Sequence, residues 1–93
     1  MALAISHDAQ TGRFETLVDG GQAFVKYERP DASTLDITYT YVPIAARGQG
    51  VGAELVKHAL EHARALGHRV IPTCPFVSRV VADNPAYRSL LRD

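Results

Sequence analysis

A change of periodicity in the middle of the chain constrains the fold more than any other feature. Between 35 and 41 apolar residues alternate with polar ones, which is typical of a half-buried strand, whereas after Gly50 they recur with helical spacing. The junction between the two patterns reads Ala-Arg-Gly-Gln-Gly-Val-Gly at 46–52. The sequence therefore predicts a strand that leads through a Gly-rich loop straight into a helix. The alternating strand residues are Leu35, Ile37, Tyr39 and Tyr41.

The three alternating glycines suit a loop that lies against an anion. Gly48, Gly50 and Gly52 carry no side chain where a backbone must approach a ligand closely. The following helix offers unpaired N–H groups and the positive end of its dipole. The loop predicts a cradle for an anionic ligand, foremost a pyrophosphate-bearing cofactor; the alternative is a purely structural Gly-rich helix cap.

The length and charge of the chain narrow the function classes. Its 93 residues are enough for a single domain, 1–93, with one modest core. Ten basic and ten acidic residues cancel, which argues against the broad charged surface that binds nucleic acids or anionic membranes. Any bound anion is therefore expected to be held by local geometry.

Cysteine content and hydropathy indicate the compartment. Cys74 is the only cysteine, so no internal disulfide can form. The first twenty residues lack the basic start and apolar run of a secretion signal. No apolar stretch approaches the roughly 20 residues of a membrane-spanning helix. We expect a cytoplasmic protein that binds no membrane.

The remaining patterns predict an α/β (α+β) fold. Strand patterns at 2–7, 14–18, 22–28 and 35–41, with turns at 19–21 and 29–33, predict a four-stranded antiparallel meander. A helix is predicted over about 50–66, ending in a left-handed cap at Gly67 and carrying an apolar stripe that includes Leu66. Residues 69–72 predict a buried strand parallel to the one before the helix. Pro75 and Pro85 each suit the first position of a short helix.

Spacing separates three kinds of glycine-rich site. Gly48-x-Gly50-x-x-Ala53 fits the dinucleotide fingerprint, but Pro72, Thr73 and Cys74 stand where that motif needs an acidic residue. The Walker motif needs Lys and then Ser or Thr after its last glycine, and Ala53 and Glu54 are neither. The remaining fit is Arg47-x-x-Gly50-x-Gly52.

This pattern resembles the cofactor loop of the GNAT superfamily of acetyl-CoA-dependent N-acetyltransferases. The resemblance covers essentially the whole chain and is closest to a short single-domain subfamily. Its motifs are Thr-Tyr-Val-Pro at 40–43, Arg-Gly-Gln-Gly-Val-Gly at 47–52, Ile-Pro-Thr-Cys-Pro-Phe-Val at 71–77 and Asn-Pro-Ala-Tyr at 84–87. It implies a truncated GNAT fold in which an antiparallel meander is followed by a β-α-β cofactor unit and short C-terminal helices.

The resemblance also implies which residues contact acetyl-CoA. In the implied arrangement, Val42 and the loop contact the start of pantetheine and the pyrophosphate. Asn84 is a secondary contact near pantetheine, and Tyr87 is a secondary contact near the sulfur of CoA. For Asn84 an N-cap role, and for Tyr87 core packing, remain equally open. Arg47 either contacts the cofactor or braces the loop. The implied loop residues are Arg47, Gly48, Gln49, Gly50, Val51 and Gly52.

Cys74 is the candidate catalytic residue. It lies just before the helix that starts at Pro75, and a helix N-terminus stabilises a thiolate. A lone cysteine is also often a small buried apolar residue. Within the GNAT resemblance the thiol either protonates departing CoA, which we favour, or takes the acetyl group itself. Tyr39 stands where the short subfamily often has His, which leaves the identity of the base open.

A metallopeptidase is the competing enzyme class. His58-Ala-Leu-Glu61-His62 matches the inverted zinc motif, but both histidines fall on the predicted polar face and no third ligand is evident. We expect no metal site and a solvated helix face.

The resemblance implies that the acceptor is an amine on a small molecule or a protein. Larger relatives carry extra helices and strands that wall the acceptor cleft, and this chain has no room for them. The acceptor site is thus open or completed by a second subunit, so a homodimer is an option. A CoA-binding or protein-interaction module that lacks turnover is the alternative function.

Overall fold

A five-stranded mixed sheet forms the centre of the fold in the computed structural model, which describes residues 3–92. The strands lie in the order of the chain; the first four are antiparallel and the fifth is parallel to the fourth. The strands are β1 (Ser6–Asp8), β2 (Arg13–Val18), β3 (Gly21–Asp31), β4 (Thr34–Tyr41) and β5 (Arg69–Ile71). The helices are α1 (Val51–Leu66) and α2 (Pro75–Asp83), with 3-10 turns at Ile44–Ala46 and Pro85–Leu90.

The predicted meander and the parallel crossover are confirmed, with local differences. β1 begins only at Ser6, and Ala2 of the predicted strand lies outside the described residues. β3 continues through Pro30 to Asp31, so the predicted turn at 29–33 shrinks to two residues. Pro30 is tolerated in the strand because the register shifts between Glu28 and Asp31. The last helix is a 3-10 segment.

Helix α1 buries one face on the sheet, as its periodicity predicts. Seven of its residues are buried, and Gly67 closes it in the left-handed conformation with φ 70°. Leu66, which the stripe included, is 53% exposed because the helix ends there. The buried residues are Val51, Gly52, Leu55, Val56, Ala59, Leu60 and Ala63.

Strand β5 was predicted to be buried, and it lies at the edge of the sheet. Its central residue, Val70, is fully buried. The C-terminal segment covers its open edge, because the Arg92 amide donates to the Val70 carbonyl at 2.8 Å. The Arg69 guanidinium donates to the carbonyls of Ser89 and Leu91. Backbone groups of this edge are thereby paired without a sixth strand.

A bulge at Thr38 reverses the two faces of β4. Tyr27 of β3 is opposite Ile37 and Lys26 is opposite Tyr39, so Thr38 is an extra residue. Leu35 and Ile37 are buried against α1, whereas Tyr39 is 52% exposed. The predicted single face of the strand was therefore wrong beyond Ile37. Tyr39 and Tyr41 lie on the side opposite α1, which we name the outer face.

Two histidines join the N-terminal strand to α1. The His7 ring stacks on Phe14 with centroids 4.1 Å apart, and its Nε2 lies 2.5 Å from the Tyr27 hydroxyl. The His62 ring meets His7 edge-on at 4.6 Å. Burial lowers the pKa of both histidines, and the neighbouring His7 lowers the pKa of His62 further. We name these four residues the histidine clasp.

The clasp predicts a loss of stability on acidification. Because the folded pKa of His7 and His62 is below the ordinary 6.5, the unfolded chain binds more protons there. The contribution of these histidines to the free energy of unfolding is fully present above pH 6.5. It is lost as the pH falls through their lowered pKa values in the folded state. Thermal unfolding midpoints between about pH 8 and pH 5 measure this slope.

His62→Phe keeps the aromatic contacts and should flatten that slope. The matched control is His58→Gln, one turn away and exposed, which should retain the slope of the wild type. Equal slopes for His62→Phe and the wild type would contradict the role of the clasp.

Candidate functional site

A cleft of about 500 Å³ lies between the end of β4 and the start of α1. One wall is formed by residues 39–42, the other by residues 46–48 and 50–53, and the Phe76 ring closes a third side. The Gly-rich loop and the strand that precedes it thus face each other across one cavity.

Two glycines of the loop adopt the left-handed backbone conformation. Gly48 has φ 83° and Gly50 has φ 79°, a region that side chains other than Asn and Asp rarely adopt. A Cβ added at either residue would meet no atom within 4 Å. Gly50 is the N-cap of α1, so the first amides of the helix have no intrahelical acceptor. The loop therefore combines amides that lack an intrahelical acceptor with unfilled space beside Gly48 and Gly50.

Gly52 is required for a different reason. Its φ is not positive, and an added Cβ would lie 3.1 Å from the Phe76 ring and 3.4 Å from Val42. The absent side chain allows α1 to pack closely on α2 and on the end of β4. Gly52 also lines the cleft, so its predicted contact with a cofactor stays a prediction.

Arg47 braces the loop. Its Nε donates to the Val42 carbonyl at 2.9 Å, and the side chain is otherwise exposed. This hydrogen bond links the Gly-rich loop to the segment that directly follows β4. Gln49 lines a neighbouring groove with Leu3 and residues 15–19 rather than the cleft.

Strands β4 and β5 separate next to Cys74. Their ladder ends at the pair Asp36 and Ile71, and the Cys74 amide then donates to the Ile37 carbonyl at 2.9 Å. Within residues 3–92, no backbone hydrogen bond joins the two segments beyond Ile37. We name this divergence the fork. On that side, polar backbone groups of β4 are free to pair with a ligand as an added strand would.

The Cys74 thiol lies inside the fork. Cys74 is only 8% exposed, and its Sγ is 3.6 Å from the Thr40 hydroxyl, which lines the cleft. Thr40 faces inward because the bulge at Thr38 reverses the strand. Sequence reasoning missed Thr40, since the alternation of β4 gives no sign of the bulge.

Asn84 and Tyr87 are not brought to the cleft. The Asn84 side chain donates to the Val80 carbonyl at 2.8 Å and closes the end of α2; it does not cap the segment from Pro85. The Tyr87 hydroxyl donates to Glu61 at 2.8 Å, in the C-terminal half of α1. Desolvation and this bond raise the pKa of Tyr87. Their predicted contacts with a cofactor stay predictions.

The two histidines of the zinc motif on α1 have different surroundings. His58 is exposed, whereas His62 belongs to the clasp. Across residues 3–92, no three His, Cys, Asp or Glu side chains are grouped to hold a metal ion. The same part of the chain contains no helix long and apolar enough to cross a membrane.

Known proteins resemble this chain over nearly its full length. Protein NATD1 of Xenopus tropicalis is 28% identical over 93 residues, which covers 98% of this chain and 85% of the relative. Protein NATD1 of Mus musculus is 29% identical over 92 residues, which covers 97% and 84%.

The fold has a solved counterpart. An NMR solution structure of a GCN5-like protein from Staphylococcus aureus superimposes with a TM-score of 0.71 at 23% identity, over 97% of this chain and 88% of that one. The family model described as GCN5-related N-acetyl-transferase matches residues 13–90. This chain belongs to the GCN5-related N-acetyltransferase family.

Proposed function

We propose that the chain binds acetyl-CoA in the cleft and transfers the acetyl group to an amine of a small molecule or a protein. The observation that carries this proposal is the pair of left-handed glycines, Gly48 and Gly50, open to space at the N-terminus of α1. Convergent backbone donors at a helix N-terminus bind a diphosphate without a large net charge. The motif around Cys74 further suggests the short subfamily of these enzymes.

In this proposal each part of the cleft has one task. The amides of the loop bind the pyrophosphate, with Arg47 holding the loop against Val42. The unpaired edge of β4 at 38–41 and the adjoining Val42 pair with the amides of pantetheine. Acetyl-CoA supplies the activated thioester, whose acyl end then lies at the fork.

We propose direct transfer, with Cys74 as the acid that protonates the departing CoA sulfur. The buried thiol inside the fork and the adjacent Thr40 hydroxyl support this assignment. The alternative is a covalent route, in which the Cys74 sulfur takes the acetyl group before the amine does.

The cradle can be tested with two matched asparagine variants. Gly50 and Gly67 are left-handed glycines at opposite ends of α1, and an added Cβ meets nothing within 4 Å at either. Asn tolerates this conformation. Gly50→Asn places a side chain in the cradle and should weaken CoA binding about tenfold or more, since displaced phosphate contacts cost about 1.4 kcal/mol per decade.

Calorimetric titration with CoA measures both variants, and Gly67→Asn should bind like the wild type. Equal affinity for Gly50→Asn and the wild type would exclude the loop as the CoA site. Binding without acceptor-dependent turnover in the wild type would favour the CoA-binding module instead.

Cys74→Ala should bind CoA normally and lose turnover by about 10²-fold or more, the usual contribution of one acid-base group. Acetyl-CoA consumption with an amine panel measures this loss. Mass spectrometry of the wild type mixed with acetyl-CoA should find no acetylated Cys74; a stoichiometric acetyl adduct would establish the covalent route. Unchanged turnover in Cys74→Ala would remove the thiol from both mechanisms.

A further inference from the structure

The outer face of the sheet carries a patch of aromatic rings in contact with water. Both helices contribute to the core on the opposite side of the sheet. On the outer face the Phe24 ring packs against the rings of Tyr39 and Tyr41, with centroids 6.0 and 5.7 Å away. Tyr41 is 37% exposed, and Leu17 on the same face is 81% exposed. Exposed apolar patches of this kind mark interaction sites on soluble proteins.

Two neighbouring rows of side chains cross the middle of this face. The register of the strands defines them, because residues opposite one another lie side by side on one face. Row A consists of Glu15, Phe24 and Tyr41, on β2, β3 and β4 in turn. Row B consists of Arg13, Lys26 and Tyr39 on the same three strands. Row A therefore begins with an acid and row B with a base, and both end with a tyrosine.

The two rows attract one another within a single chain, but one cation is left over. Arg13 pairs with Glu15 at 3.4 Å, and its guanidinium carbon lies 3.8 Å from the centroid of the Phe24 ring. Lys26 is exposed, and none of the ion pairs within residues 3–92 includes it. Lys26 is directly opposite Arg13, and like charges in that position destabilise a sheet. The outer face can therefore gain from a partner that offers Lys26 a new contact.

The mixed charge of the face indicates which kind of partner fits. The row beyond row B holds Glu28 opposite Asp36, which accepts a hydrogen bond from the Thr73 hydroxyl. Acids and bases thus follow one another across the face, whereas nucleic acids and anionic membranes attract a uniformly basic surface. A surface with the same mixture of charges is the better match. The chain is neutral overall, so two copies approach each other without net repulsion.

We propose that a second copy of this chain packs on the outer face, about a twofold axis that crosses β3 at Val25. The axis lies in the interface and runs across the strands. Val25 lies midway between Phe24 and Lys26, so the rotation places row A of each copy against row B of the other. Twofold dimers are the commonest homo-oligomers, and both copies use the same surface.

This arrangement gives every charge of the two rows a favourable partner. Glu15 of one copy lies against Arg13 of the other, which adds an opposite charge across the interface. Lys26 of one copy lies against the Phe24 ring of the other, where an aromatic face attracts a cation. Packed sheets are about 10 Å apart, a gap that these long side chains span together. Because the axis is twofold, each contact occurs twice.

The tyrosines connect this interface with the cleft. Tyr39 of one copy lies against Tyr41 of the other, and both tyrosines also line the cleft. The second copy thus adds a wall on the outer side of the cleft, where the sequence predicts an acceptor site that is open or completed by another subunit. This consequence rests on the proposed function, whereas the dimer itself does not.

Charge reversals on β2 test the interface. Arg13→Glu leaves two acids at the β2 positions of the rows, and Glu15→Arg leaves two bases. Each variant alone should raise the dissociation constant of the dimer by about 10²-fold or more, because like charges then meet across the interface. An equal mixture of the two variants should restore the dimer, since acids meet bases again. Light scattering after size exclusion measures these masses against the 10.1 kDa of one chain, and the wild type should have twice that mass.

Two further variants separate the interface from folding. Lys26→Glu lies outside the Arg13 ion pair and should also give a monomer, because it turns a carboxylate toward the Phe24 ring of the other copy. Arg79→Glu reverses an exposed charge on α2 and should remain dimeric. Thermal unfolding shows that each variant is folded. In acetyl transfer, Lys26→Glu should raise the acceptor KM by about threefold to tenfold, the worth of one aromatic contact, and Arg79→Glu should not.

Each result decides a separate part of the account. A wild type that stays monomeric across a dilution series would overturn the dimer and leave the transferase intact. A dimer that survives the reversals on β2, or that their mixture does not restore, would overturn its placement on the outer face. An unchanged acceptor KM in monomeric Lys26→Glu would overturn the added wall alone. A wild-type dimer that binds no CoA would support the interface and overturn the proposed function.

Discussion

The bulge at Thr38 is the constraint on which the geometry of the site depends. One extra residue in β4 turns Thr40 toward Cys74 and sends Tyr39 and Tyr41 to the outer face. It lies directly after Asp36 and Ile37, where the backbone pairing of β4 with β5 ends. A continuous ladder would occupy the backbone groups that the fork leaves unpaired. The bulge and the end of the pairing thus lie side by side, and the stretch of β4 that follows them forms one wall of the cleft.

The proposed anion cradle needs no large charge, because backbone amides would be its donors. The chain is neutral overall, and the single cation of the loop, Arg47, uses its Nε to hold the Val42 carbonyl. Gly48 and Gly50 leave the loop amides open, while Gly52 lets the Phe76 ring pack against the helix start. Binding by geometry fits a chain of this size, whose small core limits how many unpaired charges it can hold.

Local periodicity was sufficient to predict the order and direction of the strands and the bounds of α1. The left-handed cap at Gly67 was also predictable, because glycine tolerates that conformation without steric cost. The bulge was not, since an extra residue in a strand has no local signature when its neighbours are Thr and Tyr. The contact of Asp36 with Thr73 joins residues 37 apart, so it follows from the fork rather than from any motif.

The central claim is that the open loop and the unpaired edge of β4 form one CoA site. An NMR titration of the ¹⁵N-labelled chain with CoA tests it most directly, because each backbone amide reports separately. We predict that the amides of Arg47 to Gly52, of residues 38–42 and of Cys74 shift together with a single affinity, while those of the histidine clasp do not. Absence of shifts in the loop at saturating CoA, or shifts confined to the clasp or the groove beside Gln49, would contradict the account.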